Sequence, residues 1–153
     1  MLVKRLEDDR GNPIVEYQPQ MAREVVSEYA ARDMVKALKT VVLEGGTGTT
    51  AKMEHYTVAG KTGTAQKVEN GKYVRKYFSS FIGFFPADDP EICISIVMDE
   101  PKNGYYGGQA AGPPFKRIAE RAARYLNVRP DIEPEPILKD TLASHGNNRS
   151  VRQ

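Results

Sequence analysis

Tyr77-Phe78-Ser79-Ser80-Phe81-Ile82-Gly83-Phe84-Phe85 runs into Pro86-Ala87-Asp88-Asp89-Pro90, and after Glu91 the chain resumes as Ile92-Cys93-Ile94-Ser95-Ile96-Val97-Met98. Two runs rich in aromatic and β-branched residues, joined by a Pro/Asp turn, read as consecutive strands. A third candidate, residues 56–66, lies just before them, and Glu69-Asn70-Gly71 supplies the connecting turn. Short connections between consecutive strands require antiparallel neighbours, so residues 56–98 are expected to form a three-stranded meander. The run 92–98 is nearly all apolar, which predicts a central strand covered on both faces, with Cys93 a small buried hydrophobe.

Helices flank this sheet on either side in sequence. Ser27 offers a hydroxyl to the orphan N–H groups of a first turn, and Ala31, Met34, Val35, Leu38, Val41 and Val42 follow at helical spacing. A helix over 27–43 is expected, stopped by Gly45-Gly46. The Gly/Thr-rich residues 45–50 should be a mobile loop. Beyond the meander comes a Gly/Tyr-rich loop, 103–112. Pro113-Pro114 then opens a helix over 114–126, whose buried face is Phe115, Ile118, Ala119, Ala122 and Leu126. Arg117, Arg121 and Arg124 fall on its solvent side. Near the N-terminus, residues 2–17 read as a hairpin around Asp8-Asp9-Arg10-Gly11-Asn12-Pro13. A lone ribbon is marginal, so it is expected to join the meander in one antiparallel sheet. The fold class is α+β, an antiparallel sheet with flanking helices. The ordered domain is expected over 1–129, with a disordered, Pro- and acid-rich tail over 130–153.

Composition narrows the function classes. The 153 residues carry 22 basic and 20 acidic side chains, a balance that gives no case for a nucleic-acid or anionic-membrane partner. No apolar run approaches the roughly 20 residues that a membrane span needs. Met1-Leu2-Val3-Lys4-Arg5 is charged almost at once, without an apolar signal core, so the chain as written is expected to stay where it is made. One Cys and two His, His55 and His145, cannot assemble a metal site by ligand spacing, and no cofactor is implied. His55 reads as a surface histidine. Asp99 and Glu100, adjacent at a strand end, should point opposite ways and serve structure rather than paired acid–base chemistry. Tyr105 and Tyr106 either cover a ligand groove or pack.

The chemistry concentrates in Val58-Ala59-Gly60-Lys61-Thr62-Gly63-Thr64-Ala65-Gln66. Lys61 supplies a compact positive charge, and the threonine hydroxyls donate directed hydrogen bonds. Gly63 leaves room for a ligand backbone to lie against the strand. Such a strand is a carboxylate receptor. Alternation puts Lys61 and Gly63 on one face and Thr62 and Thr64 on the other, so Thr64 shares the site only on a twisted edge strand with its ligand alongside. The same four residues also occur as ordinary surface strand, and the motif alone leaves both readings open. A phosphate-binding P-loop does not fit, because His55 stands where that pattern needs glycine.

Lys61-Thr62-Gly63-Thr64 resembles the third motif of the penicillin-binding protein and serine β-lactamase superfamily. Glu44-Gly45-Gly46-Thr47-Gly48-Thr49 before it and Phe81-Ile82-Gly83-Phe84-Phe85-Pro86-Ala87 after it are similar to class B penicillin-binding proteins, the monofunctional peptidoglycan DD-transpeptidases. Asp99-Glu100-Pro101, Tyr106-Gly107-Gly108 and Pro114-Phe115 continue the resemblance, which is collinear over about residues 1–129 and nearest the division (septal) branch. It implies a site in which Lys61, Thr62, Gly63 and Thr64 form the ligand-facing strand, with Lys61 and Thr64 meeting a carboxylate. The implied ligands are the D-Ala-D-Ala stem peptide and β-lactams. The implied location is that of a membrane-anchored protein with its catalytic domain outside.

The superfamily's other motifs are a Ser-x-x-Lys nucleophile and Ser-x-Asn. None of Ser27, Ser79, Ser80, Ser95, Ser144 and Ser150 has Lys three residues on or Asn two residues on. Thr49-Thr50-Ala51-Lys52 has only the outline of the first, in the wrong chain order. The family's acyl transfer needs that serine to attack the D-Ala-D-Ala carbonyl before a second stem peptide's amine resolves the acyl-enzyme. The chain therefore resembles the C-terminal part of a transpeptidase domain and is expected to be inactive alone, with no catalytic residue assigned. Two alternatives stand beside it. One is a module that docks with the missing N-terminal half or with a second copy of itself. The other is a binding domain that recognises D-Ala-D-Ala or β-lactams without catalysis.

Overall fold

Alternation of side chains decides how the main sheet is covered. A computed structural model of the chain describes residues 3–133 apart from Pro19, Ala22 and Asn103. It forms two units, Met1–Met34 and Val35–Gln153.

The larger unit holds the expected meander, as β3 (Ala59–Glu69), β4 (Lys72–Phe85) and β5 (Ile92–Asp99) in the order β3-β4-β5, all antiparallel. The β3–β4 turn is two residues, Asn70 and Gly71, at φ 51° and 75°. Left-handed conformations at both turn positions match the twist of the flanking strands, which is why Asn-Gly serves here.

The strand 92–98 was expected to be central and covered on both faces. It is instead an edge strand next to β4, and Cys93 is exposed rather than buried. Ile92, Ile94 and Ile96 pack against the core, while Cys93, Ser95 and Val97 face out. Apolar composition alone does not separate a strand buried on two faces from one whose outer face is bare.

One face of the sheet carries the core. Phe81 and Phe85 of β4 are fully buried with Phe115, Met53 and Ser79. Phe81 meets Phe115 edge-on at 4.7 Å, and Tyr56 meets Phe85 at 5.6 Å. Tyr56 donates its hydroxyl hydrogen to Val128 O at 2.9 Å, so its polar end is satisfied inside the core. The opposite face leaves Phe78, Ile82 and Val97 at 43%, 50% and 66% exposed.

The helix that covers the core, α2, spans Gly107–Tyr125, seven residues earlier than expected, and takes Pro113 and Pro114 into its interior. Its first turns are built from residues that let the backbone close on its neighbours. A Cβ at Gly107 would collide with Gly63 O and Ser80 O. One at Gly108 would collide with Thr47 O, and one at Gly112 with Thr50 Oγ1. This packing overrides the local cost of two missing N–H donors. The earlier start also resets the buried face. It runs through Ala111, Phe115, Ala119 and Ala123, whereas Ile118 and Leu126, expected inside, are about half exposed. Arg117, Arg121 and Arg124 are exposed, as expected.

Residues 45–50, expected to be mobile, are pinned at several points. Gly48 N–H bonds Val41 O at 2.8 Å, and Thr50 Oγ1 donates to Gly108 O at 2.5 Å. Asp99 and Glu100 were expected to diverge. Glu100 adopts φ 47°, and both carboxylates converge on Lys67, that of Glu100 at 2.8 Å. Their role is structural. Asp131 accepts hydrogen bonds from the N–H and the hydroxyl of Thr57. Residues 134–153, most of the tail expected at 130–153, lie outside the described residues.

In the smaller unit, β1 (Arg5–Glu7) and β2 (Pro13–Glu16) make the expected hairpin. Contrary to expectation it is a separate two-stranded sheet and does not extend the meander. Asp8 holds its turn, accepting from the N–H groups of Arg10 and Asn12 and from the Asn12 side chain at 2.9 Å. Helix α1 spans Glu28–Thr40, across the division between the two units, and is opened by Ser27 Oγ, which accepts the Ala30 N–H at 3.3 Å. No α1 residue is buried, and its expected stripe reaches the core only beyond its end, at Val41 and Val42.

Candidate functional site

Strand β3 carries Lys61, Thr62, Gly63 and Thr64 on an edge of the meander sheet, paired on one side with Ile82, Phe81, Ser80 and Ser79 of β4. The ladder runs without irregularity from Ala59 to Gln66, so alternation holds. Thr62 and Thr64 share the face of Phe81 and α2. Lys61 and Gly63 lie on the opposite face with Ile82 and Ser80. The four residues are therefore gathered along one edge rather than on one face.

Each polar group is held by a different part of the fold. Lys61 is exposed, and its Nζ donates to Thr62 O at 2.9 Å, which lays the ammonium back along the strand and leaves two of its three donors free. Thr62 Oγ1 lies 2.8 Å from Thr47 Oγ1. Thr64 Oγ1 accepts the N–H of Gly107 at 3.0 Å, where α2 begins. That bond uses a lone pair of the hydroxyl and leaves its hydrogen to donate elsewhere. A Cβ at Gly63 would fall on Ser80 Oγ, so a larger residue here would make that hydroxyl turn aside.

Three contributors were missed in the sequence. Thr47 sits in a loop expected to be loose. The Gly107 N–H was assigned to a loop rather than to a helix start. The third is Tyr77, which stacks on Tyr105 with ring centroids 4.4 Å apart, while Tyr105 in turn lies 4.4 Å from Tyr106. The buried Ser79 fixes this ladder by donating its hydroxyl hydrogen to Tyr105 O. The Tyr105 hydroxyl donates to that of Tyr106 at 3.2 Å, and this bond pushes the Tyr105 ionisation above the usual tyrosine range. The visible signal was the Tyr-Tyr-Gly-Gly run, for which packing and groove-covering roles both stood open. Partnering of Tyr105 with a residue 28 positions away had no local trace.

Nearby charges are paired. The carboxylates of Asp99 and then Glu100 hold the Lys67 ammonium above the usual lysine range, and Glu69 does the same for Lys76. His55 is exposed, 4.0 Å from Glu54. Among the described residues no group of three or more His, Cys, Asp or Glu side chains is placed to hold a metal ion. Nor is any helix long and apolar enough to cross a membrane.

Comparison with known proteins agrees with this architecture. Residues 1–120 match the penicillin binding protein transpeptidase domain. A probable peptidoglycan D,D-transpeptidase of Neisseria meningitidis is 41% identical over 114 residues, covering 73% of this chain and 19% of that protein. Stage V sporulation protein D of Bacillus subtilis is 43% identical over 114 residues, 73% of this chain and 18% of that protein. Among solved structures, penicillin binding protein 3 of Mycobacterium tuberculosis complexed with ampicillin superposes with a TM-score of 0.71 at 34% identity, over 88% of this chain and 32% of that one. The chain thus spans about a fifth of the length of these curated relatives. On the extent of the family match and the shared fold, it belongs to the penicillin-binding protein transpeptidase family and carries part of that domain.

Proposed function

We propose that this chain supplies the carboxylate-binding side of a peptidoglycan D,D-transpeptidase site. The observation that carries the reading is Thr64. Its oxygen accepts the first N–H of α2, so its hydrogen is aimed away from the helix, three residues along the same edge strand from the free donors of Lys61. A hydroxyl donor and an ammonium on one edge strand are groups that a terminal carboxylate of a D-Ala-D-Ala peptide or of a β-lactam would meet. The backbone of the β3 edge is available to pair with the peptide itself. The Thr62–Thr47 bond stiffens the strand from below.

The division of labour follows from the sequence. No serine of this chain stands in a Ser-x-x-Lys pattern, so the acyl-forming nucleophile and its base belong to another part of the parent protein. The chain itself binds and orients, and is not acylated. In the parent protein the site faces the cell-wall side of the membrane and serves septal peptidoglycan synthesis. A second reading, a module that docks on a complementary chain or on its own copy, draws support from the bare sheet face of Phe78, Ile82 and Val97.

The test is titration of the purified chain with ampicillin and with diacetyl-Lys-D-Ala-D-Ala, followed by NMR, with intact-mass analysis alongside. Expected are reversible shifts centred on Lys61–Thr64, lost in Lys61→Ala, and no mass increase. A covalent ampicillin adduct on this chain would overturn the division of labour. Binding unaffected by Lys61→Ala would overturn the site.

A further inference from the structure

Among the described residues, the tip of the β3–β4 hairpin is paired only within itself. Pairing of β4 with β5 ends at Phe78–Asp99. β3 and β4 run on past it, through an irregularity between Gln66 and Val68, to the pairs Val68–Tyr73 and Glu69–Lys72. The Glu69–Lys76 ion pair at 2.7 Å also stays within the hairpin. Val68 and Tyr73 are 57% and 75% exposed. A two-stranded stretch with so little burial opens locally at low cost. At its end stand Asn70 and Gly71, both exposed, at φ 51° and 75°.

These two residues hold the parts of a reaction. The Gly71 N–H has no hydrogen-bond partner among the described residues, and neither has the Asn70 side-chain amide. Nothing lies within 4 Å of the place a Cβ of Gly71 would take, so its nitrogen is open to approach. Asn12 and Asn127 lack this combination. Asn12 precedes Pro13, whose nitrogen carries no hydrogen, and its own amide is tied to Asp8 at 2.9 Å. Asn127 shares the left-handed backbone, at φ 54°. The nitrogen after it, however, donates to Ala123 O at 2.9 Å and belongs to the buried, β-branched Val128.

We propose that Asn70 is a site of spontaneous deamidation, reached when the hairpin tip opens. The left-handed turn holds the Gly71 nitrogen off the line of approach to Asn70 Cγ, so the backbone between them must rotate first. Gly71 N then gives its proton to solvent base and bonds to Asn70 Cγ. The Cγ–Nδ2 bond breaks, and ammonia leaves with a proton from water. Water opens the resulting cyclic imide. Opening at Cγ yields aspartate, and opening at the main-chain carbonyl yields isoaspartate. The sum is amide plus water to carboxylic acid plus ammonia, with nothing oxidised or reduced. Isoaspartate routes the main chain through Cβ and adds a carbon to a turn that two residues close, so the tip of that product stays open. The irregularity at Lys67 separates this change from the regular ladder of 59–66, which keeps Lys61–Thr64 in register.

The purified chain is aged in neutral and in mildly alkaline buffer, digested with trypsin and read by mass spectrometry. Cleavage after Lys67 and Lys72 isolates Asn70 in the peptide 68–72. A protein isoaspartate methyltransferase labels isoaspartate in the same samples. Asn70 is expected to convert faster than Asn127 by on the order of tenfold, reflecting the hydrogen bond that Val128 must first give up. Conversion should quicken with pH and give both products. The free peptide acetyl-Lys-Val-Glu-Asn-Gly-Lys-Tyr-amide should convert faster than the chain, because it has no turn to open. Amide NMR of the isolated isoaspartyl chain should show shifts confined to residues 67–76. Asn70 converting no faster than Asn127 would overturn the site, and aspartate formed without isoaspartate would overturn the imide route. Chain and peptide converting at one rate would overturn the opening step. Shifts that reach Lys61–Thr64 would overturn the separation at Lys67.

Discussion

Gly107 shows how much can hang on the absence of a side chain. Its N–H anchors Thr64, and its α-carbon sits where a methyl group would strike Gly63 O and Ser80 O. Both obstacles are backbone atoms that cannot turn aside, so Gly107→Ala must push α2 off the sheet. It is expected to cost about 1–3 kcal/mol, the range for overpacking a tight core, seen as a lower denaturation midpoint at unchanged slope. Lys61→Ala should leave that midpoint within about 0.5 kcal/mol, because its side chain is exposed and its single bond is to a solvated carbonyl. At this scale the types of Lys61, Thr62, Gly63 and Thr64 suggested a carboxylate receptor. Thr47 and Gly107 were visible only inside the motifs of the resemblance, and their contacts come from what folding brings beside them.

Among the elements, the hairpin and α2 were legible to different degrees. Asp8 to Pro13 marks a turn by composition alone, because the Asp8 carboxylate satisfies the turn's own N–H groups. Those bonds, the Asn12 side chain first, hold the Asp8 ionisation below the usual aspartate range. With a lowered folded-state value, its contribution is complete above the unfolded value and is lost as pH falls through the folded one. The hairpin is therefore expected to loosen below about pH 4, and amide exchange at Asn12 should quicken there and not at neutral pH. Helix α2 was half legible. Two prolines suggest a helix start wherever local propensity decides, but here the close fit of Gly107, Gly108 and Gly112 against β3 and the 47–50 loop decides. Phe115, fully buried against Phe81, is the anchor of that helix. Phe115→Ala is expected to cost about 3–5 kcal/mol by calorimetry or denaturant titration. β5 was misread for a related reason, since its outward residues are apolar too.

For the whole molecule, the described residues place the core on one side of the sheet. Phe78, Ile82 and Val97 stand on the other, and burying each would contribute roughly 1.5–3 kcal/mol. That is a large share of a typical stability of about 5–15 kcal/mol. The purified chain is expected to self-associate with rising concentration, seen as growing light scattering, and to melt below about 60 °C. A concentration-independent monomer melting above that temperature would show that the bare face is tolerated. The same face holds Cys93, the one thiol of the sequence, exposed on β5. A lone accessible sulfur makes the chain its own chemical clock. Alkylation by iodoacetamide should proceed at the rate of a free thiol when the sheet is bare, and should slow in proportion to the fraction of molecules whose outer face is occupied. One mass-spectrometric time course, without any engineered label, thereby counts covered against uncovered molecules.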